Sequence, residues 1–504
     1  MKIALLPLDE RPCNWKYIQM MTESSEKVEL ATCPLSIMGQ RKVPGNQVAI
    51  RRFIQEEAKT SDALVLSLDT LFYGGLIPSR THMLTEADLK PAFDLLQALK
   101  EKQPNLRIYA SITIMRSPTY NAAFEEPDYY EFYGRALHRR AYLLDKKERF
   151  ELNATEEQEL AELVIPAEVL SDYEGRRAFN EKINQKVLEL VKEGVLDFLV
   201  IPQDDARPFG YTAKTQRHVV SMIEALDLES KVNIYPGADE VANTLVTRAY
   251  VDYYDLSPKI YPFFSSVLGP SLVPLYEDRP FLETLKYHVR ACGARLVDSA
   301  GEADFLLAIN TPGKKMQRAR EQLEDIDITY TSYRNLNDFV LTIKEFIASG
   351  KKVAICDSAY GNGGDLSLMK RLDQWQLLDQ LLAYAGWNTN ANTLGTVLAD
   401  GLLHYDQPVK INRHLLYRYL EDVCYQTVVR QVVMAKELPK LGVKDYALDA
   451  KLPQVTKAIE TRLYQTYAQW QLATEVPIEI QTVNLPWQRL FEVDFALTLL
   501  KEGE

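Results

Sequence analysis

An α/β fold built on parallel sheets is the reading this sequence supports, on three observations. Short runs of aliphatic and β-branched residues alternate with longer amphipathic stretches. The short runs are apolar on both faces, as strands buried between two helical layers must be. Polar or turn residues follow nearly every run, as expected at the carboxyl edge of such a sheet.

The strands are predicted at Ile3–Leu8, Val28–Ala31, Ala63–Leu68, Arg107–Ile114, Leu196–Ile201 and Val232–Tyr235, then at Lys259–Phe264, Arg295–Val297, Phe305–Ile309 and Val353–Cys356. Helical spacing lies between them. Leu89, Phe93, Leu96 and Leu99 recur three or four apart before Pro104; Ile183, Val187, Leu190 and Val191 do so before Gly194; Phe281, Leu285, His288 and Val289 do so before Gly293. These stripes read as core faces ended by helix breakers.

At 504 residues the chain exceeds the ~250–300 at which a single core stops growing. The expected organisation is an N-terminal α/β domain at 1–255, a second at 256–400 and a mainly helical segment at 401–504. The first carries a long helical insertion at 117–192, and the boundary is set where the pattern restarts after Asp255-Leu256-Ser257-Pro258. Two doubly wound lobes fit this pattern. A (β/α)8-like barrel with an added α/β domain is the alternative.

Composition narrows the function. Hydrophobic content of 46% and charged content of 25% are those of a folded protein. A net charge of −12 disfavours nucleic acid, whose phosphates call for a basic surface. No stretch approaches the ~20 apolar residues that span a bilayer. The amino terminus lacks the form of a signal peptide, and the five cysteines are scattered with no C-x-x-C. The cytoplasm is the expected compartment. The expected partner is a small molecule, with neither nucleic acid nor membrane, and a homo-oligomer is compatible with the sequence.

The chemistry should lie where the strands end. Asp9, Glu10 and Arg11 follow the first strand, Asp69 and Arg80 the third, and Arg116 the fourth. Gln203-Asp204-Asp205 follows the fifth and Asp239-Glu240 the sixth, with Asn310 and Asp357 after later ones. In a parallel sheet these ends share one edge, so acids far apart in sequence converge. Each acid alone could be a helix cap. Arginines, glycine pairs and prolines accompany them as a set, and caps do not need such companions. Asp204-Asp205 is the sharpest pair, because adjacent carboxylates repel and one keeps its proton to higher pH. That arrangement serves general acid catalysis, with Asp239 a second carboxylate. Trp387 and Asn388 offer an aromatic face beside amides, suited to a sugar ring.

No P-loop and no G-x-S-x-G is present, and the six histidines show no zinc pattern. No metal is required by this reading. Magnesium or manganese on Asp9, Asp69, Asp205 or Asp357 stays open, since hard ions need only oxygens.

PLDERP (Pro7–Pro12), SLDTLFYGGLIPSR (Ser67–Arg80), EEPDYYEFYGR (Glu125–Arg135), QDDARPFG (Gln203–Gly210), PGADEV (Pro236–Val241), YEDRP (Tyr276–Pro280) and GWNTNANTLGT (Gly386–Thr396) together resemble a bacterial family of uncharacterised proteins, domain of unknown function 4127. The resemblance implies that the strand-end motifs form one recurring constellation; it implies no activity. A fainter likeness links the QDD motif to the acid pair of substrate-assisted N-acetylhexosaminidases, which are barrel enzymes. The leading expectation is a glycosidase-like hydrolase of a small sugar-containing substrate. Asp204, Asp205 and Asp239 would be catalytic. Asp9, Glu10, Arg11, Asp69, Arg80, Arg116, Glu240, Asn310, Asp357, Trp387 and Asn388 would bind substrate. A divalent-metal hydrolase of phosphoryl or carboxyl substrates and a non-catalytic small-ligand-binding protein are the alternatives.

Overall fold

Each predicted strand forms, with its ends moved by no more than three residues. The structure is a computed structural model that describes residues 1–500; the acidic chain end at 501–504 lies outside the described residues. In chain order the strands are β1 (Lys2–Leu6), β2 (Glu29–Thr32), β3 (Ala63–Ser67), β4 (Arg107–Ser111), β5 (Phe198–Gln203), β6 (Val232–Pro236), β7 (Lys259–Phe264), β8 (Arg295–Leu296), β9 (Phe305–Asn310), β10 (Gln317–Arg318), β11 (Val353–Asp357), β12 (Tyr360–Gly361), β13 (Ala383–Ala385), β14 (Ile478–Asn484) and β15 (Asp494–Leu499).

Two parallel sheets carry the fold. The first runs β2-β1-β3-β4-β5-β6 and the second β13-β11-β9-β7-β8. Each has its first strand inside, its second at one edge, and the rest added in sequence on the other side. The order therefore reverses once per sheet, between β1 and β3 and between β7 and β9. That is the doubly wound pattern, and such reversals are where these sheets open a crevice at their carboxyl edge. The barrel alternative is corrected by the same fact. A barrel adds strands in sequence until the last pairs with the first, whereas β2 on the outer side of β1 leaves both sheets open.

The chain divides into two units. One comprises residues 1–10, 28–249 and 276–278; the other 11–27, 250–275 and 279–500 of the described residues. In the first, Leu64, Leu66, Ile108, Ala110, Leu199 and Ile201 of the sheet pack with Ile50, Leu96, Val187 and Val219 of the covering helices. In the second, Leu307, Ala354, Cys356 and Ala383 pack with Leu285, Val289, Leu394 and Leu398. Strands β3, β5, β9 and β11 are buried along their whole length, as their two-sided apolarity requires.

The insertion forms three helices, Tyr130–Arg149, Ala154–Glu162 and Ala167–Lys192. The middle one starts with a reciprocal cap between Asn153 and Glu156. The region after Asp400 is helical as far as Glu475 and then departs from expectation, because β14 and β15 pair as an antiparallel hairpin. Strand β14 is half exposed, so its apolar residues are spaced rather than continuous and no apolar run marks it.

One glycine is required by both backbone and space. The helix Leu68–Tyr73 ends at Gly74 with φ 91°, and a Cβ there would lie 2.7 Å from both Gly45 N and Pro44 Cβ. Gly74→Ala combines a left-handed L-residue with a backbone clash, together about 2–4 kcal/mol. Thermal denaturation should show a Tm lower by about 5 °C or more. An unchanged Tm would contradict this account.

Candidate active site

The site grows from the pairing of β4 with β5. Past the regular ladder, Ile114 pairs with Gln203 and its N–H donates to Pro202 O at 2.9 Å. That extra register brings Arg116, two residues on, beside Asp204 and Asp205, which follow Gln203. The third helix of the insertion fixes the approach. Arg177 donates to the carbonyls of Met115 and Arg116 at 2.8 and 2.9 Å, and Tyr130 donates to Pro118 O at 2.9 Å. Arg80 arrives from the short helix Pro78–Thr81, whose Ser79 carbonyl accepts from Asn180 Nδ2 at 2.8 Å.

Two guanidinium groups and four carboxylates then meet. Arg80 Nη1 lies 3.2 Å from Glu126 and 3.3 Å from Glu125, while its Nη2 donates to Asp204. Arg116 donates to Glu126 at 2.8 Å, Glu125 at 2.7 Å and the Tyr120 hydroxyl at 3.2 Å. Its charge also stands 4.0 Å from Asp204 and 3.7 Å from Asp205. Arg80 and Glu126 are shut in at 1% and 0% exposure, whereas Asp204 and Asp205 keep 21% and 26%. The aspartates are thus the reachable part of a charged cluster whose base is sealed.

Their environments differ. Burial, then the neighbouring Asp204 charge, pushes the Asp205 carboxyl up to about 6, against the pull of Arg116, Arg207 and Arg80. Asp205 also holds φ at +51°, a conformation that favours Asn, Asp and Gly. Arg116 draws the Tyr120 hydroxyl down, yet burial and the surrounding carboxylates outweigh it and leave it at about 12. Tyr120 therefore offers a neutral hydroxyl at the rim. Deeper in the unit, burial raises Asp69 to about 6 although its Oδ2 accepts from Thr113 N and Oγ1 at 3.0 and 2.9 Å.

The remaining predicted residues divide between the two units. Glu10 accepts from Arg41 N at 2.8 Å, and Asp9 is buried near it in sequence. Asp239 and Glu240 lie in the turn after β6, where the Glu240 carbonyl accepts from Thr244 N at 3.1 Å and opens the helix Val241–Tyr253. Burial, then Asp239 and Glu277, holds the Glu240 carboxyl well above its ordinary value. Arg11 belongs to the second unit, paired with Glu492 at 3.2 Å and stacked over Trp487 at 4.5 Å.

Asn310 and Asp357 also belong there, inside a closed network. Asn310 Nδ2 donates to Asp357 at 2.9 Å and Asp365 at 3.1 Å. Arg334 donates to Asp365 at 2.6 Å and to Asn310 Oδ1 at 2.9 Å, and Tyr384 donates to Asp357 at 2.8 Å. Burial, then the Asp365 charge, raises the Asp357 carboxyl. Both aspartates are 1% exposed, and this network ties together the strand ends of the second sheet. Trp387 is 4% exposed, its ring set against Tyr17 at 6.4 Å and Phe491 at 5.8 Å. That is core packing, with no ring face turned to solvent. Asn388 accepts from Asn362 N through its carbonyl at 2.9 Å.

Among the described residues, no group of three or more His, Cys, Asp or Glu side chains is arranged to hold a metal ion. Asp204 and Glu126 face guanidinium groups and Asp69 faces the Thr113 hydroxyl instead, an arrangement that does not fit a magnesium or manganese cage.

Glu125, Glu126 and Tyr120 were not predicted as site residues. Their signal was the Glu125-Glu126 pair just before Pro127 at the start of the insertion, two adjacent acids needing cations.

The family model described as "Protein of unknown function (DUF4127)" matches residues 3–496. The chain belongs to that family. Its match takes in every element that builds the site. Among curated proteins none matches. One solved structure, from Mycobacterium smegmatis in complex with beta-D-fucofuranose, aligns with 76% of this chain and 97% of its own at 9% identity and a TM-score of 0.17. At that score neither its fold nor its ligand is transferred to this chain. Among the described residues no helix is long and apolar enough to cross a membrane.

Proposed function

We propose that this protein is a hydrolase of a small sugar-containing substrate that works by carboxylate acid/base chemistry. The observation that carries the reading is Asp205, a reachable carboxyl whose proton is held to about pH 6 beside a carboxylate paired with Arg80. In this reading Asp205 protonates the leaving oxygen as the glycosidic C–O bond breaks. A water oxygen bonds to the anomeric carbon, and its proton passes to the second carboxylate, for which Asp239 on the neighbouring strand is the candidate. Asp204, held by Arg80, stabilises positive charge developing on the sugar ring, and Tyr120 is placed to bond a hydroxyl. The five cysteines, all buried and none in a disulfide, support a cytoplasmic setting.

The test is a panel of aryl glycosides, N-acetylated sugars included, assayed with and without EDTA across pH. Turnover should survive EDTA. The rate limb should be flat below pH ~6 and fall tenfold per unit above it, because the folded-state carboxyl must keep its proton to act as the acid. Turnover that vanishes with EDTA, or that rises above pH 6, would overturn the reading.

A further inference from the structure

The basic side chains around the cluster are engaged, with one exception. Arg80 and Arg116 face carboxylates, Arg177 faces two carbonyls, Arg217 pairs with Asp145, and Arg149 donates to Pro208 O at 3.1 Å. Arg207 lies two residues beyond Asp205 on the same loop and is half-buried. Among the described residues it makes no hydrogen bond, ion pair or ring contact, yet its charge reaches the site. It lowers Asp205, and it adds to burial in holding His138 below the ordinary histidine value.

A guanidinium partly withdrawn from water, with no protein acceptor to replace that hydration, is poised for an acceptor from elsewhere. Its planar fork matches the two oxygens of a carboxylate or phosphate. We infer that Arg207 reads an anionic group on the substrate, so that the substrate is an acidic sugar derivative. This rests on the glycosidase reading and names its substrate class. The inner arginines cannot serve, being sealed and already neutralised by Glu125, Glu126 and Asp204. The chain's net charge of −12 does not forbid the contact, because exposed charges beyond about 8 Å are largely screened at physiological salt.

Matched aryl glycosides test the idea: a neutral sugar, its uronic acid and its 6-phosphate, each with the wild type, Arg207→Gln and Arg207→Lys. The acidic forms should be preferred, and whichever of the two is turned over names the anion. Arg207→Gln should raise KM for that form about tenfold or more, the scale of a lost charge-assisted bond. Below pH 6, where Asp205 keeps its proton in both proteins, kcat should stay within about threefold and KM for the neutral glycoside should not rise. The acid limb should move to higher pH because Arg207 no longer lowers Asp205, and Arg207→Lys should recover part of the loss. Equal effects on neutral and acidic glycosides, or none, would overturn the inference and leave the glycosidase reading standing. If no glycoside is turned over, that reading falls. Melting-temperature shifts with glucuronate and glucose 6-phosphate then decide Arg207: a shift lost in Arg207→Gln keeps the anion site, and no shift in the wild type removes it.

Discussion

Asp205→Asn is expected to lower kcat/KM by about 10²–10⁴, the range general acid catalysis supplies, while the protein melts no lower than the wild type at pH 7. The two halves of this result have one cause. The folded state holds the Asp205 carboxyl at about 6, against ~3.9 in an unfolded chain. Between those values the folded protein binds more protons than the unfolded one. The group's favourable contribution is therefore complete below about pH 4 and is lost as pH rises through 6. At pH 7 the carboxylate is a burden on the fold, and an amide removes it. Asparagine also tolerates the left-handed backbone at this position, φ +51°, where most residues would strain. Steady-state kinetics and a melting curve on one preparation suffice. A variant that is equally active excludes Asp205 as the acid, and one that is inactive because it has unfolded removes the claim that the carboxylate burdens the fold at pH 7.

Arg80→Ala is expected to destabilise the protein by about 3–5 kcal/mol, the effect of removing one partner from a buried charge network. Arg80 is 1% exposed and faces Glu125, Glu126 and Asp204, of which Glu126 is wholly buried. Without it, Arg116 is left to oppose Glu125, Glu126 and Asp204. Arg80→Met separates charge from packing: it keeps most of the volume, so a loss close to that of the alanine variant assigns the effect to charge. Glu126→Gln in the Arg80→Met background should recover part of it. Urea denaturation with an unchanged m-value reads these differences. A loss below about 1 kcal/mol would mean that water reaches the cluster and that its base is not sealed.

The strands and main helices were legible because burial acts locally: two-sided apolar runs and three-or-four spacing are consequences of each segment's own surroundings. The hairpin β14–β15 escaped because its alternating, half-exposed residues leave no continuous apolar run. Among site residues, Asp204, Asp205, Arg80 and Arg116 could be named because parallel strands bring their carboxyl ends to one edge. Glu125 and Glu126 could not be assigned to that edge, since they sit on no strand end and meet Arg80 and Arg116 only through the folding of the insertion. Trp387 misled for the opposite reason. An aromatic beside amides looks the same in sequence whether its face meets solvent or, as here, Tyr17 and Phe491.

What the sequence alone determined was the α/β class, the identity of the ten strands β1–β9 and β11, and the membership of the family. What the tertiary structure decided was which strand-end acids meet. Sequence places Asp9, Asp205 and Asp357 in equivalent positions after strands. Only the pairing order assigns Asp357 to a second sheet, where Asn310 and Tyr384 enclose it, and leaves Asp205 reachable beside Arg116. Strand identity depends on short-range periodicity, whereas proximity depends on pairings such as Tyr109 with Phe198, far apart in the chain, which no local pattern encodes.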